Sequence, residues 1–119
     1  FAAMDAATER DWDTEFLGLS VGIKIVKNAD DAFAFINRHS KRHSEGIIAS
    51  NKKTIRQFCS SIDAAALFVN CSTRLHDGYV FGLGSEMGIA TGKLHARGPV
   101  GLKELTTYKW QVYGKGNIR

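Results

Sequence analysis

Three basic side chains alternate within a glycine-rich segment of the chain: Lys93, His95 and Arg97. The segment, Phe81–Pro99, has five glycines. Such density predicts sharp turns or a close approach of the backbone to a ligand, because only glycine takes positive φ at little cost. If the segment is extended, the three basic side chains point the same way. Basic groups beside exposed backbone N–H donors indicate an anion-binding site.

A second group of polar residues lies just beyond the carboxyl end of a predicted central strand, Ala64–Val69, where open α/β sheets bind their ligands. Two hydroxyls and a guanidinium there suit a phosphate or a carboxylate. This group is Ser72, Thr73 and Arg74. An alternative stays open, in which the arginines of both segments only pin the loops by pairing with nearby carboxylates. Those carboxylates are Asp77 and Glu86.

The two cysteines are candidate nucleophiles. Cys59 lies on the apolar face of a predicted helix and is expected to be a buried packing residue. Cys71 sits at the end of the predicted central strand, just after Asn70, where active-site residues of α/β sheets gather, so a catalytic role for it stays open. The four histidines form no HExxH pattern, and no metal site is predicted. They are His39, His43, His76 and His95.

Apolar and polar segments alternate along the chain in the order strand, helix, strand, helix, strand. This order predicts an α/β fold, a β-α-β-α-β open sheet covered by helices. Asn28 is a predicted N-cap of the first helix, and Ser50 or Asn51 of the second. The expected apolar faces are Ala32, Phe35, Ile36 and His39, then Ile55, Phe58, Cys59 and Ile62. The predicted elements are a strand Val21–Val26, a helix Ala29–His39, a strand Gly46–Ala49, the second helix, the central strand, a loop-rich segment Asn70–Pro99, a short helix Val100–Leu105 and a final strand Thr107–Tyr113.

Length and composition indicate one compact domain or a piece of a larger protein. The 119 residues are 44% hydrophobic and 24% charged, which is ordinary globular composition. The net charge is +4, but the basic residues are scattered, so no nucleic-acid partner is predicted. No apolar run approaches the ~20 residues of a membrane span. Two cysteines fit a reducing cytoplasm, and a start at Phe1 rather than methionine suggests a fragment.

Two long runs of the sequence resemble one enzyme family. They are DWDTEFLGLSVGIKIVKNADDAFAFINRHSKRHSEGIIASN and NCSTRLHDGYVFGLGSEMGIATGKLHARGPVGLKELTTYKW. The second resembles the carboxyl-terminal signature of gamma-glutamyl phosphate reductase, also called glutamate-5-semialdehyde dehydrogenase, in the aldehyde dehydrogenase superfamily. The resemblance covers Asp11 to Arg119, and its motifs NxSTR, DGxxFGLGxE and KLHARGPxGLxELTTYK occur in order.

The resemblance implies a cytoplasmic reductase of proline biosynthesis. Such enzymes reduce L-glutamyl 5-phosphate with NADPH to L-glutamate 5-semialdehyde and release phosphate, through attack by a cysteine thiolate. The thiolate and the Rossmann-like domain would lie outside this chain, so the resemblance implies a carboxyl-terminal fragment that is inactive alone and holds no catalytic residue. A homo-oligomer is expected, with glutamate 5-kinase as a possible pathway partner. The alternative is a non-catalytic structural or oligomerisation module.

The resemblance also divides the chain and assigns residues. Residues 1–106 would be the end of an aldehyde-dehydrogenase-like catalytic domain, and residues 107–119 a strand and tail of the oligomerisation region. Glu15 resembles the glutamate that hydrogen-bonds the ribose of the nicotinamide cofactor, here NADP. The residues implied to bind substrate are His43, Ser44, Ser72, Thr73, Arg74, Lys93, His95 and Arg97.

Overall fold

The computed structural model describes residues 4–119, which form two helices and two pairs of short strands. The first half of this region alternates helix and strand, and the second half is mostly loop. Two short 3-10 turns, Glu9–Asp13 and Thr73–Leu75, complete the regular structure. The elements are α1 (Ala29–His39), β1 (Ser44–Ile47), α2 (Lys52–Ser61), β2 (Ala66–Val69), β3 (Gly88–Ala90) and β4 (Gly98–Val100).

Both helices begin where side-chain caps satisfy their first backbone N–H groups. The Asn28 side chain accepts a hydrogen bond from the Asp31 N–H at 2.9 Å. Asn51 accepts from the N–H groups of Lys53 and Thr54 at 2.9 and 3.1 Å. The predicted bounds of α1 and its Asn28 cap are confirmed, and Asn51 is the cap of α2.

Strands β1 and β2 pair in parallel, with Ser44 beside Ala66 and Ile47 beside Val69. One face of this small sheet packs against both helices. Ile47 and Leu67 contact the core there, and that core is built by Phe33, Phe58 and Ile62. The Phe33 and Phe58 rings lie 5.9 Å apart. This cluster holds α1, α2 and the sheet together through buried apolar area.

The other face of the sheet is covered by the chain that follows β2, so Phe68 is buried between two layers. Its ring packs against His76 at 5.9 Å and Phe81 at 6.5 Å. Thr73 lies over the middle of β1, where a Cβ at Gly46 would be 3.4 Å from its methyl group. We call this side of the sheet the loop face. The expectation that the apolar run of β2 is covered on both faces is confirmed.

The prediction of two outer strands, Val21–Val26 and Thr107–Tyr113, is wrong. Residues 21–26 and 107–113 form no strand ladder within the described chain, and both segments are exposed. Ile25 is 93% exposed and Val112 90% exposed. A strand needs a neighbour for its backbone hydrogen bonds, and the described residues supply none here. The predicted β-α-β-α-β order is therefore reduced to α-β-α-β, and residues 102–105 form turns instead of a helix.

Several finer predictions also need correction. The strand predicted at Gly46–Ala49 runs instead over Ser44–Ile47, as β1. The strand predicted to begin at Ala64 begins at Ala66, as β2. The segment after β2, predicted to be loop, contains the antiparallel pair β3–β4. Cys59 is exposed, because α2 turns Phe58 and Ile62 into the core. In α1 the core takes Phe33, while Phe35 packs on Trp12 at 5.3 Å.

The chain is more extended than a compact domain of its length. Its radius of gyration is 20.2 Å, whereas about 13–14 Å is expected for this length. Its accessible surface is 10306 Å², against roughly 6400 Å² for a compact protein of its mass. The excess comes from two exposed arms, residues 4–27 and 106–119. No helix among the described residues is long and apolar enough to cross a bilayer.

Candidate functional site

One carboxylate, Asp63, gathers three cationic side chains. Lys93 Nζ lies 2.9 Å from Asp63 Oδ2, and Arg97 Nη1 lies 2.8 Å from Oδ1. The Arg42 guanidinium is more distant, at 3.9 Å from Oδ2. The hydrogen bond from Lys93, followed in importance by that from Arg97, lowers the pKa of Asp63 below its ordinary value. Three cations share one anion, so the cluster has positive charge to offer a further anion.

The Arg97 guanidinium has donors to spare. Besides its ion pair, its Nε donates to the Thr91 carbonyl at 3.2 Å. Its side chain is 22% exposed. Its Nη2 is buried and finds no hydrogen-bond partner in the described part of the chain. A buried donor without an acceptor is costly, and a planar guanidinium is suited to bidentate contact with phosphate or carboxylate.

A second cluster lies on the loop face, at the start of β1. Ser44 Oγ is 2.6 Å from His76 Nδ1, and the His43 and His76 rings are 4.6 Å apart. The His76 ring also stacks on Phe81 at 5.3 Å. Burial lowers the pKa of His76, as does nearby His43, while Glu86 acts in the opposite direction. This lowered pKa favours the neutral form of the His76 ring at pH 7.

The structure gathers four of the residues implied to bind substrate into these two clusters. Lys93 and Arg97 meet at Asp63, and His43 and Ser44 meet at His76. The three alternating basic side chains do not act as one row, because His95 is exposed and makes no hydrogen bond within residues 4–119.

The other implied residues lie apart from these clusters. Ser72 caps the 3-10 turn that follows it, since its Oγ accepts from the Arg74 N–H at 3.1 Å. Thr73 and Arg74 are exposed, and the Arg74 guanidinium makes no ion pair among the described residues. Glu15 is exposed on the amino-terminal arm.

The carboxylates expected to pin the loops do so through backbone groups. Asp77 accepts from the N–H groups of Tyr79 and Val80 at 2.8 and 3.0 Å. Glu86 accepts from the Gly78 N–H at 2.9 Å. The alternative in which these carboxylates pair with the arginines is therefore wrong, and the carboxylate that Arg97 meets is Asp63.

Sequence reasoning missed Asp63, Arg42 and His76. Asp63 comes just after the end of α2 and is 30 or more positions from Lys93 and Arg97, so no local pattern connects them. His76 was weighed only as a metal ligand. Its packing against Phe68 and Phe81 depends on the path of the chain back over the sheet, which is a tertiary feature. Among the described residues, no group of three metal-binding side chains comes together.

Two cavities are lined by other parts of the molecule. One of about 390 Å³ lies between α1, β1 and α2 and is lined by apolar side chains such as Phe33, Ile47 and Phe58. Another of about 350 Å³ lies between α1 and residues 24–27. Neither is lined by any residue implied to bind substrate or cofactor.

Comparison with known proteins shows extensive similarity in sequence. The chain is 56% identical over 113 residues to "Gamma-glutamyl phosphate reductase" of Bifidobacterium adolescentis, which covers 95% of this chain and 26% of that protein. It is 52% identical over 117 residues to the protein of the same name from Lacticaseibacillus casei, covering 98% of this chain and 28% of the relative. No protein-family profile matches the chain.

A solved structure is similar in fold as well as in sequence. The crystal structure of gamma-glutamyl phosphate reductase from Thermotoga maritima superposes with a TM-score of 0.86 at 54% identity, over 95% of this chain and 27% of that one. The chain thus spans about a quarter of the length of the relatives it matches. It is a homologue of the gamma-glutamyl phosphate reductases over nearly all of its own length, which confirms the resemblance found in its sequence.

Proposed function

We propose that this chain is the carboxyl-terminal part of an NADPH-dependent reductase of proline biosynthesis. The reaction converts L-glutamyl 5-phosphate to L-glutamate 5-semialdehyde and releases phosphate. The observation that carries the proposal is the joint match of sequence and fold, 54% identity with a TM-score of 0.86, to the Thermotoga maritima reductase. At this identity the motifs and the backbone path agree together, and fold similarity alone would not carry a function.

The Asp63 cluster supports a role in binding the anionic substrate. The substrate bears a phosphate and a carboxylate, and both suit a guanidinium with free donors. Asp63 fixes the Arg97 side chain through Nη1 and leaves Nη2 without a partner in the described residues. Lys93 and Arg42 add positive charge around the same carboxylate. In this proposal Asp63 orients Arg97, and Arg97 holds an anionic group of the substrate.

The remaining implied residues would act at the edges of the same site. Arg74 and His95 are exposed and have no ion pair among the described residues, so both remain available to an anion. Ser72 and Thr73 lie next to Arg74 in the turn that crosses the loop face. His43 and Ser44 lie at the start of β1, against His76, which follows the same turn.

Glu15 is the one residue of this chain that we assign to the nicotinamide cofactor. Its carboxylate is exposed and makes no hydrogen bond within residues 4–119. It is therefore free to accept from the two vicinal hydroxyls of a ribose, so the residue fits that part of NADP. The cofactor would supply the hydride, and the Rossmann-like domain that holds most of it would lie outside this chain.

An activity assay tests the proposal with a chimeric reductase. The corresponding quarter of the Thermotoga maritima enzyme is replaced by this chain, and phosphate- and NADP-dependent oxidation of glutamate 5-semialdehyde is measured. The chimera is expected to be active and the isolated chain inactive, because in this proposal the cysteine nucleophile would lie outside this chain. A folded chimera without activity, or an active isolated chain, would contradict the proposal.

A second candidate function is a non-catalytic oligomerisation module. The observation that favours it is the exposed carboxyl-terminal arm, where Tyr108, Trp110 and Val112 are 80, 84 and 90% exposed. Alternating bulky side chains on an unpaired extended segment favour strand addition to a second copy. Light scattering after size exclusion tests this, and a monomer at every concentration would contradict it.

A further inference from the structure

Ser44 and His76 come from separate parts of the chain and form one closely held pair. Ser44 is the first residue of β1, and His76 follows the 3-10 turn that crosses the loop face. Ser44 Oγ and His76 Nδ1 are 2.6 Å apart and partly buried. The His76 ring is fixed by its neighbours, with Phe68 at 5.9 Å and Phe81 at 5.3 Å between ring centroids. The imidazole therefore has little freedom to turn its Nδ1 away from Ser44.

The surroundings of the second ring nitrogen decide which of the two partners donates. His76 Nε2 is buried and has no hydrogen-bond partner in the described part of the chain. A Cβ built at Gly98 in β4 would lie 3.4 Å from this nitrogen, so the neighbouring group is a glycine C–H and not a hydrogen-bond acceptor. A C–H group can approach a lone pair favourably, whereas a buried N–H aimed at carbon would be an unsatisfied donor. The proton of the neutral ring is therefore on Nδ1.

We infer that His76 is a positioning residue, whose Nδ1–H donates to Ser44 Oγ and leaves the Ser44 hydroxyl hydrogen to be donated to an anion oxygen at the loop face. The inference deepens the proposed function and rests on it, because Ser44 is there a substrate-binding residue. A serine hydroxyl is one donor and two acceptors. If His76 accepted from it, the single hydroxyl hydrogen would be used inside the protein. With His76 as donor, Ser44 presents that hydrogen to a phosphate or carboxylate.

The tautomer is measured first, on the 119-residue chain without any substitution. Nitrogen chemical shifts of the imidazole at pH 7 distinguish a protonated Nδ1 from a protonated Nε2. Protonated Nδ1 is the expected result. A ring protonated on Nε2 would overturn the inference, because Ser44 would then have to donate to His76.

Titration with inorganic phosphate then tests whether Ser44 meets an anion. Phosphate is expected to shift the backbone amide signal of Ser44 and the ring signals of His76. His76→Phe keeps a ring against Phe68 and Phe81 but removes the donor, and it should weaken phosphate binding roughly threefold to tenfold, as for one lost hydrogen bond. His76→Asn places an amide N–H at the same branch of the side chain and should restore most of the binding. The matched control is His39→Phe, because His39 bonds Asp13 outside this cluster.

The outcomes separate this inference from the proposed function. Phosphate that binds at Ser44 and follows the order wild type, His76→Asn, His76→Phe supports the inference even if the chimeric reductase is inactive. Phosphate that leaves Ser44 and His76 unshifted at saturating concentration overturns it, even if the chimera is active. Equal weakening by His76→Phe and His39→Phe also overturns it, because the effect would then be general loss of structure.

Discussion

Replacement of Gly78 by alanine probes the loop that covers the sheet. A Cβ at this position would lie 2.7 Å from the Ser85 carbonyl oxygen and 2.9 Å from the Glu86 Cβ. The same residue is held by two hydrogen bonds. Its N–H donates to Glu86 Oε2 at 2.9 Å, and its carbonyl accepts from the Leu83 N–H at 2.8 Å. The added methyl group therefore meets backbone that cannot move without cost.

The cost of Gly78→Ala follows from the two ways in which the loop can respond. Overpacking without relaxation costs about 1–3 kcal/mol. Moving the backbone away sacrifices the hydrogen bond to the Glu86 carboxylate, which contributes roughly 1.5–3 kcal/mol. The chain takes the cheaper response, so we expect the free energy of unfolding to fall by about 1–3 kcal/mol. With a typical urea dependence, the unfolding midpoint drops by about 1 M.

The assay is urea unfolding followed by far-UV circular dichroism, with Gly88→Ala as the matched control. Gly88 lies in β3, and nothing is within 4 Å of a Cβ built there. Its replacement should leave the midpoint unchanged or raise it slightly. If Gly78→Ala unfolds at the same urea concentration as Gly88→Ala, the close packing of this loop as described here is refuted.

Three further predictions concern the helices, the core and the acid sensitivity of the fold. Asn51→Ala should lower the free energy of unfolding by about 1 kcal/mol, measured by urea unfolding, whereas Ser50→Ala should have little effect because Asn51 is the residue that caps α2. Phe58→Ala should lower the free energy of unfolding by about 3–5 kcal/mol, enough to abolish a cooperative unfolding transition in so small a core. Cys59→Ala, at the exposed neighbouring position, should change the unfolding transition little. In the folded state the pKa of Asp63 is lowered below 3.8. At acidic pH the unfolded state therefore binds more protons than the folded state, and the free energy of unfolding decreases as the pH falls below 3.8. Acid unfolding curves should show this loss in the wild type and a smaller one in Asp63→Asn.

Local features of the fold could be predicted from the sequence. Helix α1 begins and ends where the pattern indicates, because Asn28 caps it through a neighbour three residues away. The parallel pairing of β1 and β2 also agrees with alternating strands and helices. The apolar face of α1 was predicted less well, since Phe33 takes the core position and Phe35 packs on the amino-terminal arm. Helical spacing does not say which of two apolar stripes meets the sheet.

Features that depend on distant parts of the chain could not be predicted. Residues 21–26 have the composition of a buried strand, yet among the described residues they have no neighbour to pair with and remain exposed. The ion pairs of Asp63 with Lys93 and Arg97 join residues 30 or more positions apart. His76 was missed for the same reason, because its contact with Ser44 depends on the return of the loop across the sheet.

The most direct test of the account is the specificity constant of the chimeric reductase after Arg97→Ala. We expect kcat/KM to fall by at least about 10-fold, as for loss of one charge-assisted contact to the substrate. The matched control is Arg38→Ala, an exposed arginine at the end of α1, which should stay within about twofold of the parent because exposed charges away from the site contribute little. An Arg97→Ala enzyme as active as the Arg38→Ala enzyme would show that Arg97 serves only its ion pair with Asp63, contrary to this account.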